Sequence, residues 1–63
     1  MSAAELSSLA TALDELTRRV TEHADAAHAR KDEETARELF AIERALNGAN
    51  RRLSRLATAL SRR

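Results

Sequence analysis

Apolar residues recur along this chain of 63 residues at alternating spacings of three and four, in two separate runs. Such spacing places them on one face of an α-helix, at positions a and d of a seven-residue repeat labelled a to g. The first run consists of Leu6, Leu9, Leu13, Leu16 and Val20, and it continues through His23 and Ala27. The second run consists of Leu39, Ile42, Leu46, Ala49, Leu53, Leu56 and Leu60. The pattern therefore predicts two amphipathic helices, with Leu6 and Leu39 each at position a.

A turn between the two helices is predicted from a break in this repeat. Val20 and Leu39 are 19 residues apart, which puts them about 100° out of register on one helix. Asp32 is a favourable N-cap for a second helix, as Ser2 is for the first, where Glu5 completes a capping box. We therefore predict an all-α, antiparallel two-helix hairpin, with helices at about 3–30 and 33–62, in a single domain of residues 1–63.

The sequence also leaves two other helical arrangements open. No Gly or Pro lies near residue 33, so one unbroken helix of about 60 residues is an alternative. Asn47 and Gly48 form a second weak point, where the second helix would end early and give three helices. The apolar repeat passes through Gly48 in phase, which favours a continuous second helix.

Folding the chain about residue 33 brings the two apolar runs together. The resulting pairs are Leu6 with Leu60, Leu13 with Leu53, Val20 with Leu46, and Ala27 with Leu39. The segments 6–13 and 53–60 differ at one position in eight, and they meet at the open end of the hairpin. Folding about residue 33 also predicts surface ion pairs of Asp14 and Glu15 with Arg51 and Arg52, and of Glu22 with Arg44.

A hairpin of this size buries too little apolar surface to be comfortably stable alone. The chain has no Cys, so no disulfide supplements its core. Small residues often occupy positions e and g, among them Ala10, Thr17, Ala24 and Ala36 at e and Ala12, Ala26, Ala45 and Ala59 at g. They widen the apolar face and allow further helices to approach closely. We therefore expect self-association into a homodimer or higher oligomer, with a four-helix bundle of coiled-coil type as the main expectation.

Residue types that carry catalysis or bind metals are sparse in this chain. It has no Cys nucleophile, one Gly and two His. Nothing in the sequence indicates that Ser, His and Asp side chains come together as a catalytic group. We therefore expect no enzymatic activity, no cofactor and no metal. His23 and His28 lie about 140° apart on a helix and cannot chelate one ion from one chain. We interpret His23, at position d beside Glu43, as a polar core residue; a pH switch or a metal site shared between chains are alternatives.

The charge distribution supplies the one indication of an anionic partner. All acidic residues lie at or before Glu43, although the net charge is only +1. An arginine stripe follows the outer face of the second helix, with Arg37, Arg44 and Arg51 at f and Arg55 and Arg62 at c. Phe40 lies between two of these arginines, at position b, where an aromatic ring would stack on a nucleobase or anchor a partner. Alternatively, the arginines pair within the helix, as with Glu33 and Arg37, and Phe40 packs against a second hairpin.

Three classes of function follow from these features. We expect a small, non-enzymatic, cytoplasmic regulatory protein that binds itself and another protein through its helix faces. The alternative is an RNA- or DNA-binding regulator that uses the arginine stripe. Binding of residues 49–63 to an anionic membrane ranks last, because the hairpin itself requires Leu53, Leu56 and Leu60.

Overall fold

Both helices begin at the capping signals that the sequence predicts. In this computed structural model of residues 1–63, α1 spans Ala3–Ala29 and α2 spans Glu33–Ser61. The Ser2 hydroxyl accepts a hydrogen bond from the Glu5 N–H at 3.1 Å, and the Glu5 carboxylate accepts one from the Ser2 N–H at 3.1 Å. Asp32 caps α2 by accepting a hydrogen bond from the Thr35 N–H at 3.3 Å. The predicted bounds of both helices are confirmed to within one residue.

A Schellman turn without glycine reverses the chain between α1 and α2. The Asp32 N–H donates to the Ala27 carbonyl at 2.9 Å, and the Lys31 N–H donates to the His28 carbonyl at 3.0 Å. These bonds satisfy carbonyl groups that the end of α1 leaves free. Lys31 has a φ of 65°, the left-handed conformation that glycine usually supplies. The turn excludes the alternative of one unbroken helix.

The two helices pack along each other as an antiparallel hairpin that measures 49 × 14 × 12 Å. α2 continues through Asn47 and Gly48 without interruption, so the three-helix alternative is wrong. Neither helix contains an apolar stretch long enough to cross a membrane.

Positions a and e, rather than a and d, make the contact between α1 and α2. The most buried residues are Leu6 and Ala27 at a, and Thr17, Ala24, Ala36 and Ala57 at e. The other a residues are half-buried, namely Leu13, Val20, Leu39, Leu46, Leu53 and Leu60. Because the residues at e are small, the helices approach closely on that side, and position d turns outward.

The large side chains at position d are therefore left at the surface. Leu9 and Leu16 of α1 are each 47% exposed, Ile42 is 46% exposed and Leu56 is 51% exposed. The structure thus divides the predicted seam into two rows. The a row forms the core of the hairpin, and the d row has no partner within the chain.

Polar side chains occupy part of the contact between the helices. The Thr21 hydroxyl of α1 donates to the Glu43 carboxylate of α2, and the Thr17 hydroxyl donates to the Leu13 carbonyl at 2.7 Å. The side-chain oxygen of Asn50 is buried and has no hydrogen-bond partner. His23 is exposed, so it is not the core residue of the hairpin that its position in the repeat indicates. Thr21 takes the place beside Glu43 that we predicted for His23.

The ion pairs between the helices that folding about residue 33 predicts do not form. Asp14 pairs instead with Arg18 of its own helix, at 3.7 Å. Across the turn, the His28 imidazole Nδ1 lies 3.1 Å from the Glu33 carboxylate. Exposed pairs contribute only about 0–1 kcal/mol each, so charge contacts contribute little to holding the hairpin closed.

Candidate interaction surface

One side of the hairpin carries a continuous apolar surface, which we call the leucine face. Around each helix, position d lies about 80° from the midline between positions a and e. Because the helices run in opposite directions, their d rows come to the same side of the hairpin. The leucine face consists of the d residues Leu9, Leu16, Ile42, Ala49 and Leu56, flanked by the g residues Ala12, Ala26, Ala45 and Ala59. His23 completes the d row of α1.

The leucine face has protruding and recessed parts. Leu9 and Leu16 stand out from α1, each about half exposed. On α2, small residues leave an open depression of about 650 Å³ above Ala45, Gly48 and Ala49. This depression is bordered by Arg52, Leu56 and neighbouring side chains of the same helix. The face therefore contains both large side chains and a recess that would receive one.

Charged residues of opposite sign border the leucine face on the two helices. Positions c and g form its rim, because they lie on the outer side of the d rows. On α1 the rim contains Glu5, Glu15 and Glu22, with Arg19 as its one basic residue. On α2 it contains Arg52, Arg55 and Arg62 toward the open end and Glu34 and Glu38 near the turn, which leaves it with a net positive charge. The face thus has an acidic rim and a basic rim.

The opposite side of the hairpin is polar apart from Phe40. Position b lies on this side of both helices and holds Ser7, Asp14, Thr21 and His28 on α1, and Glu33, Phe40, Asn47, Ser54 and Ser61 on α2. Phe40 is half-buried in an open groove of about 440 Å³ near the turn. The groove is lined by His28, Glu33, Ala36, Arg37, Phe40 and Arg44.

The arginine stripe is exposed, and none of its residues forms an ion pair. The intrahelical pair expected between Glu33 and Arg37 is not formed, because the Glu33 carboxylate contacts the His28 imidazole Nδ1 at 3.1 Å. Arg37 and Arg44 both border the groove that holds Phe40. The structure therefore brings the predicted aromatic residue and two of the five predicted arginines together.

The hairpin brings together no cluster of metal-binding side chains. No three His, Cys, Asp or Glu side chains come close enough to hold a metal ion. Hydrogen bonds from the side chain and backbone of Thr35 lower the pKa of the Asp32 carboxyl group. This shift follows from helix capping rather than from a functional site.

The fold and this surface define an α-helical hairpin with one uncovered apolar face. Comparison of the chain with protein-family models, curated proteins and solved structures finds no match. Evidence on function therefore comes from the surfaces of the hairpin itself.

Proposed function

We propose that this chain is a non-enzymatic interaction module that self-associates through the leucine face into a four-helix bundle, as a homodimer. One observation carries the proposal: Leu9, Leu16, Ile42 and Leu56 are each about half exposed on one side of the hairpin. Burying a large aliphatic side chain contributes roughly 1.5–3 kcal/mol. A contiguous apolar surface of this kind is typical of a protein–protein interface.

The thin core of the hairpin supports the same proposal. Only six residues are buried, four of them Ala, and no large side chain is fully buried. Packing the leucine faces of two copies would enclose the d rows of four helices in one core, as in a four-helix bundle. The assembled bundle would act in the cytoplasm as a regulator, with its remaining helix faces available to a partner protein.

Truncation of the leucine face tests the proposal. The variant Leu16→Ala/Leu56→Ala should shift the wild-type dimer toward the monomer mass of 7.0 kDa. Each dimer would lose four buried leucines at about 2–5 kcal/mol per site, which is measurable by sedimentation equilibrium at micromolar concentration. Thr11→Ala/Thr58→Ala is the matched control, because both threonines are exposed f residues. A wild-type mass of 7.0 kDa with full helicity would disprove self-association.

Nucleic-acid binding is the second candidate function. Its supporting observation is that Arg37 and Arg44 border the groove around Phe40 and have no acidic partner. Unpaired arginines are free to contact phosphates, and an aromatic ring beside them suits base stacking. Such binding should weaken steeply with salt.

A pair of charge reversals distinguishes this candidate from the first. Arg44→Glu/Arg51→Glu should abolish binding of a single-stranded RNA oligonucleotide at low salt while leaving the sedimentation mass unchanged. Arg18→Glu/Arg19→Glu is the control, because these two arginines of α1 lie outside the arginine stripe. Absence of binding by the wild type at low salt, to RNA and to DNA, would eliminate nucleic-acid binding as a function.

A further inference from the structure

Two twofold arrangements would bring the leucine faces of two copies together. In the parallel-axis arrangement, the twofold axis follows the helices, α1 packs against the partner's α2, and both turns lie at the same end. In the crossed-axis arrangement, the axis is perpendicular to the helices, each helix packs against its own counterpart, and the turns lie at opposite ends. Building on the proposed self-association, we infer that the face receives a second copy in the parallel-axis arrangement.

The charged rims of the leucine face favour this arrangement. Glu5, Glu15 and Glu22 give α1 an acidic rim, and Arg52, Arg55 and Arg62 give α2 a basic rim. The parallel-axis arrangement sets each acidic rim against a basic rim of the partner. The crossed-axis arrangement sets the acidic rim of α1 against the same acidic rim of the partner, and like charges across an interface are destabilising.

The charges of the whole helices agree with their rims. α1 contains five acidic residues and two arginines, which gives a net charge of −3. α2 contains four acidic residues and five arginines, which gives a net charge of +1, and Arg62 and Arg63 beyond its end add two positive charges. In the parallel-axis arrangement, every pair of neighbouring helices in the bundle consists of one α1 and one α2. The charges of neighbouring helices therefore have opposite signs throughout.

The shape of the leucine face favours the same arrangement. Thr21 contacts Glu43 across the helices. Leu16 and Gly48 are each five residues farther from the turn, so Leu16 lies at the height of the recess. With the axis parallel to the helices, Leu16 faces the recess that Ala45, Gly48 and Ala49 leave on the partner. With the axis crossed, Leu16 faces the partner's Leu16, and the two recesses face each other. A large side chain packed into a recess fills space at the density of a protein interior, whereas two recesses that face each other leave a void.

Distances between spin labels at the two ends of the hairpin test this inference. The chain has no Cys, so each single-cysteine variant carries one label. Arg30→Cys labels the turn and Arg63→Cys labels the open end. From a rise of 1.5 Å per residue and a helix spacing of 8–10 Å, the parallel-axis dimer should give about 15–25 Å between the two labels at either site. The crossed-axis dimer should give about 40 Å or more.

A label at mid-length separates failure of this inference from failure of the proposed function. Asn47→Cys should give about 30 Å in either dimer, because residue 47 lies near the middle of the rod. A dipolar signal at Asn47→Cys together with 40 Å at both ends would overturn the inference and leave self-association intact. Absence of a dipolar signal at all three sites, in variants that retain their helicity, would overturn both.

Reversal of one rim charge gives an independent measurement. In the parallel-axis dimer, Arg52→Glu faces the partner's acidic rim and should raise the dimer Kd by about threefold to tenfold. Adding Glu15→Arg to that variant should restore the wild-type Kd, because the exchanged charges at positions 15 and 52 again have opposite signs across the interface. In the crossed-axis dimer α1 does not pack against the partner's α2, so failure of Glu15→Arg to restore the Kd would contradict the inference.

Discussion

Lys31 holds the only left-handed backbone conformation in the chain, with a φ of 65°. An L-residue with a side chain is strained there by roughly 1–2 kcal/mol, whereas glycine is not. The hydrogen bonds that reverse the chain involve the Lys31 and Asp32 backbone N–H groups, so they do not depend on the lysine side chain. The backbone strain therefore arises because residue 31 is a lysine rather than a glycine.

Replacement of this lysine by glycine should therefore stabilise the hairpin. We expect Lys31→Gly to raise the free energy of unfolding by about 0.5–1 kcal/mol, after the greater freedom of glycine in the unfolded chain is taken into account. Urea denaturation followed by circular dichroism measures the change. Lys31→Ala is the control, because it removes the same side chain but keeps the strained Cβ. Equal stabilisation by both variants would contradict the explanation.

Asp32 makes the stability of the hairpin dependent on pH at the acidic end. Hydrogen bonds from Thr35 hold the pKa of this carboxyl group below the ordinary value of 3.8. The ionised cap therefore stabilises the folded state above pH 3.8, and this contribution is lost as the pH falls below that value through the folded-state pKa. Asp32→Asn keeps a capping side chain that does not titrate, so its melting temperature should fall less between pH 5 and pH 2. An identical fall in both proteins would show that other carboxyl groups cause the acid dependence.

At the scale of the helix, small side chains decide which faces of α1 and α2 meet. Thr17, Ala24, Ala36 and Ala57 occupy buried e positions, and their small size allows a close approach that larger residues would prevent. α2 also contains Gly48 in its interior, where glycine weakens a helix. Within the hairpin nothing packs closely against this glycine, because an added Cβ would meet only the Arg51 guanidinium, at 3.8 Å.

Gly48→Ala should consequently raise the free energy of unfolding by about 1 kcal/mol. The reason is helix propensity alone, since the methyl group would make an ordinary van der Waals contact. Ala41→Gly is the matched control, because Ala41 is exposed and lies one repeat earlier at the same position c. It should lower the stability by a similar amount. A loss of stability in Gly48→Ala would mean that the added methyl group disturbs the inferred contact with the partner's Leu16 more than it favours the helix.

At the scale of the whole molecule, the two sides of the hairpin differ in character. One side holds the leucine face with its acidic and basic rims, and the other holds polar b residues around Phe40. The rod is only 12–14 Å across, so every residue of the core is close to solvent. The proposed dimer would roughly double this thickness and bury the d rows.

Folding should therefore depend on protein concentration. If association completes the core, the melting temperature should rise between about 1 µM and 100 µM, because mass action favours the folded dimer. Circular dichroism melts in the same buffer measure this shift. Leu16→Ala/Leu56→Ala should melt at a lower temperature with a smaller concentration dependence. A melting temperature independent of concentration in the wild type would contradict the coupling of folding to association.

The sequence by itself determined the two helices, their bounds and the position of the turn. These features depend on contacts within a few residues: the Ser2 and Glu5 capping box, the Asp32 cap, and the phase of the apolar repeat. The arginine stripe could also be predicted from the sequence, because residues at fixed helical spacing share one face of a helix whatever that face packs against. The left-handed conformation of Lys31 could not be predicted from the sequence, because such positions are usually recognised by a glycine and residue 31 is a lysine.

Only the tertiary structure decided which apolar row faces the second helix. A contact through a and e differs from one through a and d by a rotation of about 50° around the helix axis, and both rows are apolar in the sequence. The choice depends on how closely two backbones approach, which is a property of the pair of helices rather than of either one. That rotation buries Thr17 and Ala24, exposes His23, and leaves Leu9, Leu16, Ile42 and Leu56 on one side of the hairpin.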